Sequence, residues 1–167
     1  MVRIPSEVLI VLGSHFTFNE IVTVRRIRPH PGDLLRKDEL DRIIQEFLAT
    51  SSIKILGGTH YALAHLLPFR VMLDGYYLTA ERQARGKTIE MVIFAAYARD
   101  EFWQALGKIQ SMFGGLDMRF ISNQAALAAS LITVLGVRDA LIVKIGSRIT
   151  EVSLLGEGAL LATGQFA

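Results

Sequence analysis

The spacing of apolar residues changes several times along the chain, and each change marks an element. Val8 to Leu12 is an unbroken apolar run stopped by Gly13-Ser14, which predicts a first strand. Glu20 to Arg28 alternates, with Ile21 and Thr23 on one face and Val22 and Val24 on the other, and predicts a second. Pro29-His30-Pro31-Gly32 ends it, because proline offers no N–H to a ladder and glycine permits the turn. From Lys37 to Thr50 the period becomes helical: Leu40, Ile43, Ile44, Phe47 and Leu48 fall on one stripe. Asp38 and Glu39 suit the positive end of that helix dipole.

Tyr61 to Leu67 and Phe69 to Leu73 read as two strands bent at Pro68 and closed by the turn Asp74-Gly75. Thr88 to Ala98 is the most apolar run and is predicted to be a central strand. Asp100 to Phe113 follows as a helix burying Phe102, Ala105, Leu106, Ile109, Met112 and Phe113, with Gly114-Gly115 ending it. Met118 to Ser122 reads as a short strand. Ser122 is placed to cap an alanine-rich helix that reaches Leu135 and stops at Gly136. Ala140 to Ala162 closes the list as a hairpin. Strands and helices alternate, so the class is α/β (α+β), with helices covering a mixed sheet. Gln165-Phe166-Ala167 is still strand-like, which suggests a piece of a longer protein.

Composition narrows the function more than it names it. The 167 residues are half apolar and one-fifth charged, as in an ordinary globular chain, and the net charge of +2 is too small to argue for nucleic acid. With no cysteine there is neither a disulfide framework nor a thiolate site. The start, Met1-Val2-Arg3-Ile4-Pro5, is not a signal peptide, and the apolar passage Ala125 to Val137 is too short to span a bilayer. His15, His30, His60 and His65 lack the helical spacing that builds a metal site, so no metal is expected. His65 reads instead as a sheet residue with a backbone partner.

Arg25, Arg26, Arg28, Arg36 and Lys37 form a basic cluster, but Arg26 and Arg28 share one face of a strand while Arg25 takes the other. A charged edge strand explains it better than an anionic partner. Gly57-Gly58 and Gly114-Gly115 read as turns or helix stops. Trp103 falls off the helical stripe and is expected to be half exposed, packed against a neighbouring loop. Asp74 and Glu90 have no second acid or histidine placed beside them by spacing, so neither is assigned as a general base.

Asp139 to Gly158 carries the most information. Two apolar strands meet at a small-residue turn, Gly146-Ser147, in the layout of a hairpin that wraps backbone N–H groups around a phosphate. The composition does not match the layout. Lys144 stands where an acid would hold the metal, and Arg148 and Ile149 stand where glycine or a small polar residue would let a nucleotide approach.

Four stretches, in order, resemble the FtsA cell-division family of actin-like ATPases. Val8 to His15 resembles the strand ending in Gly-x-His that opens the family's inserted SHS2 subdomain. His65-Leu-Leu-Pro68 with Asp74-Gly75 is similar to its His-x-x-Pro and Asp-Gly. Gly86-Lys-Thr-Ile89-Glu90 follows its Gly-x-x-Leu-Glu, and Val143 to Glu151 falls where the family has Asp-Ile-Gly-Gly-Gly-Thr-Thr-Asp. The PilM pilus-assembly family carries a related insertion.

The resemblance implies an SHS2-type subdomain at about residues 6–115 and part of an actin-like, ribonuclease H-like lobe at 116–167, carrying the degenerate hairpin. Gly146, Ser147 and Thr150 are the positions it would place at a phosphate. The resemblance implies a protein that binds ATP and polymerises, but Lys144 and Arg148 depart from the pattern, so the expected role is a non-catalytic interaction and assembly module acting in bacterial division, with no cofactor of its own; ATP and magnesium would belong to a full-length parent. The alternatives are a fragment of a hydrolysing actin-like ATPase or a PilM-like pilus scaffold. Its expected partners are further copies and division-machinery proteins, not nucleic acid. Its expected place is the cytoplasmic side of the cell membrane, reached only indirectly.

Overall fold

The computed structural model describes residues 7–13, 16–78, 84–112 and 117–166. The chain begins with β1 (Glu7–Leu12), β2 (Thr17–Ile27), α1 (Lys37–Ser51), β3 (Ile53–Leu56) and β4 (Thr59–Leu73). It continues through β5 (Tyr76–Tyr77), β6 (Thr88–Arg99), α2 (Asp100–Met112), β7 (Asp117–Ser122) and α3 (Asn123–Leu135). It closes with β8 (Ala140–Ile145), β9 (Thr150–Gly156) and β10 (Ala159–Phe166). The class is mixed α/β, as the alternation of periods predicts.

The largest sheet has the order β2-β6-β4-β3, with β5 added to the end of β4, and all its pairs are antiparallel. The most apolar run is indeed interior to it. Residues Met91 to Ala98 of β6 are all buried because both faces are covered. Ile89, Met91, Ile93, Ala95 and Tyr97 pack with Ile43 and Phe47 of α1. Phe94 and Ala96 point the other way, onto Ala125 and Ala128 of α3 and Leu155 and Leu160 of the last sheet. A strand buried on two sides has no polar face to display, so its sequence does not alternate.

Several expectations are corrected in detail. Pro68 does not divide β4, which is one strand of 15 residues paired with β6 along its length. The bend becomes two register shifts, at Leu63/His65 and Pro68/Arg70. Pro68 lies where β4 has, among the described residues, no strand on its second side, the setting in which a missing N–H is tolerated. In α2 the stripe is not buried as predicted: Leu106 is, but Ala105, Ile109 and Met112 are exposed, and Phe113 lies outside the described residues. Trp103 is half-buried, but it packs edge-on against Phe120 of β7 at 5.0 Å, not against a loop. Ser122 is the N-cap of α3, yet its hydroxyl makes no cap hydrogen bond. Gly57-Gly58 forms a two-residue turn between β3 and β4 with both φ angles positive, while Gly114-Gly115 lies outside the described residues.

Two smaller sheets complete the architecture. β1 pairs with β7 in parallel, from Glu7 beside Asp117 to Leu12 beside Ser122. β8, β9 and β10 form an antiparallel meander, so the predicted hairpin is three strands and not two. Side chains join the layers. Asn19 donates to Gln124 at 2.9 Å, and Arg70 Nη2 donates to the Gly156 carbonyl at 2.7 Å while stacking over Tyr77.

Candidate functional site

The turn at residues 146–149 is set by one backbone bond, from Gly146 N–H to the Ile149 carbonyl at 3.1 Å. A Cβ on residue 146 would lie 2.7 Å from that carbonyl oxygen, so glycine is needed there for close approach. Ser147 sits beside it in the turn, exposed, as is Arg148. Thr150 starts β9 opposite Ile145, and Glu151, the next residue, points to the other face of the sheet. The structure thus brings Gly146 and Ser147 together and turns Thr150 away from the Lys144–Glu151 side.

That side holds the hairpin's charge. Lys144 and Glu151 are cross-strand partners, and Lys144 Nζ donates to Glu151 Oε2 at 2.8 Å. Glu151 is 3% exposed, and the Asn123 amide at the start of α3 reaches the same oxygen at 3.4 Å. A buried carboxylate needs a counter-charge, and the half-exposed lysine provides it. Sequence reading singled out Lys144 as the departure from a metal-holding pattern. It did not single out Glu151, although the strand period could have placed the two side by side.

The other candidate groups are used structurally. Arg25 pairs with Glu90, Arg26 with Glu46 and Arg28 with Glu39, so three arginines of the basic cluster are neutralised by neighbours. Arg26 and Arg28 reach α1 while Arg25 reaches β6, as strand alternation requires. Arg28 is buried and makes two bonds to Glu39 at 2.9 and 2.8 Å, and others to the carbonyls of Asp33 and Gly86. The Arg28 hydrogen bonds hold the Glu39 carboxyl below its usual range. His65 packs against the Phe94 ring, and burial pushes its imidazole below the usual histidine range. Its buried Nδ1 has no protein partner among the described residues, which corrects the expected backbone bond. His15 lies outside the described residues, and among those described no group of three His, Cys, Asp or Glu could hold a metal ion.

Two clefts flank β2. One, of about 430 Å³, lies between the start of β2 and β10 and includes Thr17, Asn19, Tyr61, Arg99 and Ile149. The other, of about 550 Å³, is a groove between β2 and α1, floored by Val22, Val24, Phe47 and Ala49 and edged by Arg25, Arg26 and Glu46. Among the described residues β2 pairs only with β6, which leaves its second edge without a strand along this groove.

No family model matches the sequence, and no curated protein matches it. Among solved structures it is similar to the PilM-PilN type IV pilus biogenesis complex, at 14% identity and a TM-score of 0.49. The match covers 95% of this chain and 42% of that one, so this chain spans less than half of that protein's length. A likeness of that size carries no argument on its own. Among the described residues no helix is long and apolar enough to cross a membrane.

Proposed function

We propose that the chain is a non-catalytic interaction and assembly module of an FtsA-like protein, not a nucleotide hydrolase. The observation that carries this reading is the 2.8 Å ion pair between Lys144 and Glu151. Magnesium at a phosphate hairpin needs carboxylate oxygens, and a lysine can neither hold a cation nor orient an attacking water. Here the buried carboxylate is already matched by an ammonium, and the Gly146 N–H is turned inward to Ile149. Gly146 and Ser147 keep the shape of an anion loop without the groups that would make it work on ATP.

Interaction is supported by β2. Its open edge offers backbone N–H and C=O groups beside an apolar groove, the arrangement in which an added strand gains affinity from the ladder and selectivity from side-chain pockets. The partners on this reading are further copies of the chain or proteins of the division machinery at the cytoplasmic side of the membrane. The test is phosphate release from ATP with and without magnesium, run on the chain and on any longer protein that contains it. The expected release equals the buffer control in both. Magnesium-dependent turnover that disappears in Gly146→Val would overturn the proposal.

A further inference from the structure

The inward face of β8 and β9 meets the start of α3 around a small polar cavity. Asn123 and Gln124 of α3, Lys144 of β8, and Glu151 and Ser153 of β9 line it. The space is about 10 Å³, roughly what the centre of one water needs and too little for a polyatomic ligand. Two groups on its wall are unmet among the described residues. Gln124 is 4% exposed, and its amide oxygen accepts from Asn19 at 2.9 Å, but its buried Nε2 donates to nothing. Asn123 gives its amide N–H to Glu151 at 3.4 Å, while its buried Oδ1 accepts nothing. The N-cap residue Ser122 makes no side-chain cap bond, so α3 also begins with backbone N–H donors still to be met. A buried donor and a buried acceptor are each costly to leave unpaired, and here one of each kind faces the same small space.

We infer that this cavity is a binding site for a single water molecule, which accepts a hydrogen bond from Gln124 Nε2 and donates to Asn123 Oδ1 and the Glu151 carboxylate. Water fits because it both accepts and donates. A monatomic ion does not fit. An anion would face Glu151 and a cation would face Lys144, and those two already neutralise each other at 2.8 Å. The water closes a gap in a line of polar contacts. On one side Asn19 of β2 holds Gln124; on the other, Asn123 and Lys144 hold Glu151. With the water in place, the line runs unbroken from β2, through the head of α3, to the hairpin's buried charge pair. Strand β2 and the hairpin thus share one polar network, although no side chain of β2 bonds directly to Lys144 or Glu151 among the contacts described above. The site stands whether or not the chain turns over ATP, and it is separate from the open edge of β2.

A crystal structure of the chain, at a resolution that shows ordered water, is expected to place one peak within about 2.7–3.2 Å of both Gln124 Nε2 and Asn123 Oδ1. In solution, the Gln124 side-chain amide protons are expected to give a nuclear magnetic resonance cross-peak to a long-lived water, assigned by its absence in Gln124→Met. Ser153→Val fills the cavity from β9 and is expected to abolish that cross-peak, with an unchanged far-ultraviolet circular dichroism spectrum. A cavity without density in the crystal, a wild-type chain without the cross-peak, or a peak that touches only one of the two amides would each overturn the inference. An anomalous bromide or rubidium signal at the site, in crystals grown with those ions, would also overturn it by showing an ion there. A cross-peak that persists in folded Ser153→Val would place the water elsewhere, with the same result.

Discussion

Asp74 holds a left-handed backbone with φ 50° and accepts hydrogen bonds from the N–H groups of Lys87 and Thr88 at 2.9 and 2.7 Å. Those two bonds hold its carboxyl below the usual aspartate range. Gly86 must stay bare beside it, since a Cβ there would come within 2.6 Å of Asp74 Oδ2 and of Leu73 Cγ. The folded chain keeps Asp74 ionised to lower pH than the unfolded chain does. Its stabilisation is therefore complete above about pH 3.8 and is lost as pH falls through the folded-state value. Asp74→Ala is expected to lower Tm at pH 7 by scanning calorimetry, with the gap to wild type closing in more acidic buffer. A gap that does not narrow there would show that the carboxylate's charge is not what matters. The sequence made Asp74-Gly75 legible as a turn and Gly86 as part of a motif. The bonds from Lys87 and Thr88 to the Asp74 carboxylate were not legible, because a side chain meeting a backbone 13 or 14 residues away leaves no periodic trace.

At the scale of elements, period gives a face but not what lies opposite it. The apolar stripe of α2 is real, yet the helix meets its neighbours mainly through Phe102, Trp103 and Leu106, and its last turn runs out past them. Met112 is 81% exposed, so Met112→Lys is expected to change unfolding free energy by less than about 0.5 kcal/mol in urea titration. A loss near that of a core truncation would place it in an interface. β4 shows a different limit. Each register shift moves the following residues to the opposite face, so a reading by twos loses track after Leu63 and again after Pro68. β3 and β5, four and two residues long, are too short to show a period at all. α1 was legible because nothing interrupts its stripe over 15 residues.

For the whole molecule the decisive feature is that β6 serves two cores. Phe94 is fully buried in the second, against Phe69 and His65 of β4 and in one cluster with α3 and the last sheet. Phe94→Ala is expected to cost about 3–5 kcal/mol in chemical denaturation, because it opens a cavity where three layers meet. A cost below about 1 kcal/mol would mean that the layers pack independently. The hairpin with its lysine was visible in the sequence, but the joint between the layers was not. Asn19 and Gln124 are 105 residues apart, and Arg70 and Gly156 are 86 apart, so only the folded chain brings them together.

The parallel pairing of β1 with β7 has a kinetic consequence. Everything from Thr17 to Met112 is an excursion that leaves one strand and returns alongside it. Joining Glu7 to Asp117 closes the largest loop among the strand pairings, and that entropy is repaid only once the excursion has become compact. The order of assembly follows: the β2-β6-β4 layer forms from nearer contacts, α1 seals it, and the opening strand zips onto its mate last. A nascent or partly denatured chain is therefore expected to carry its first strand unattached, with Leu12, 2% exposed in the folded chain, free to meet whatever reaches it first.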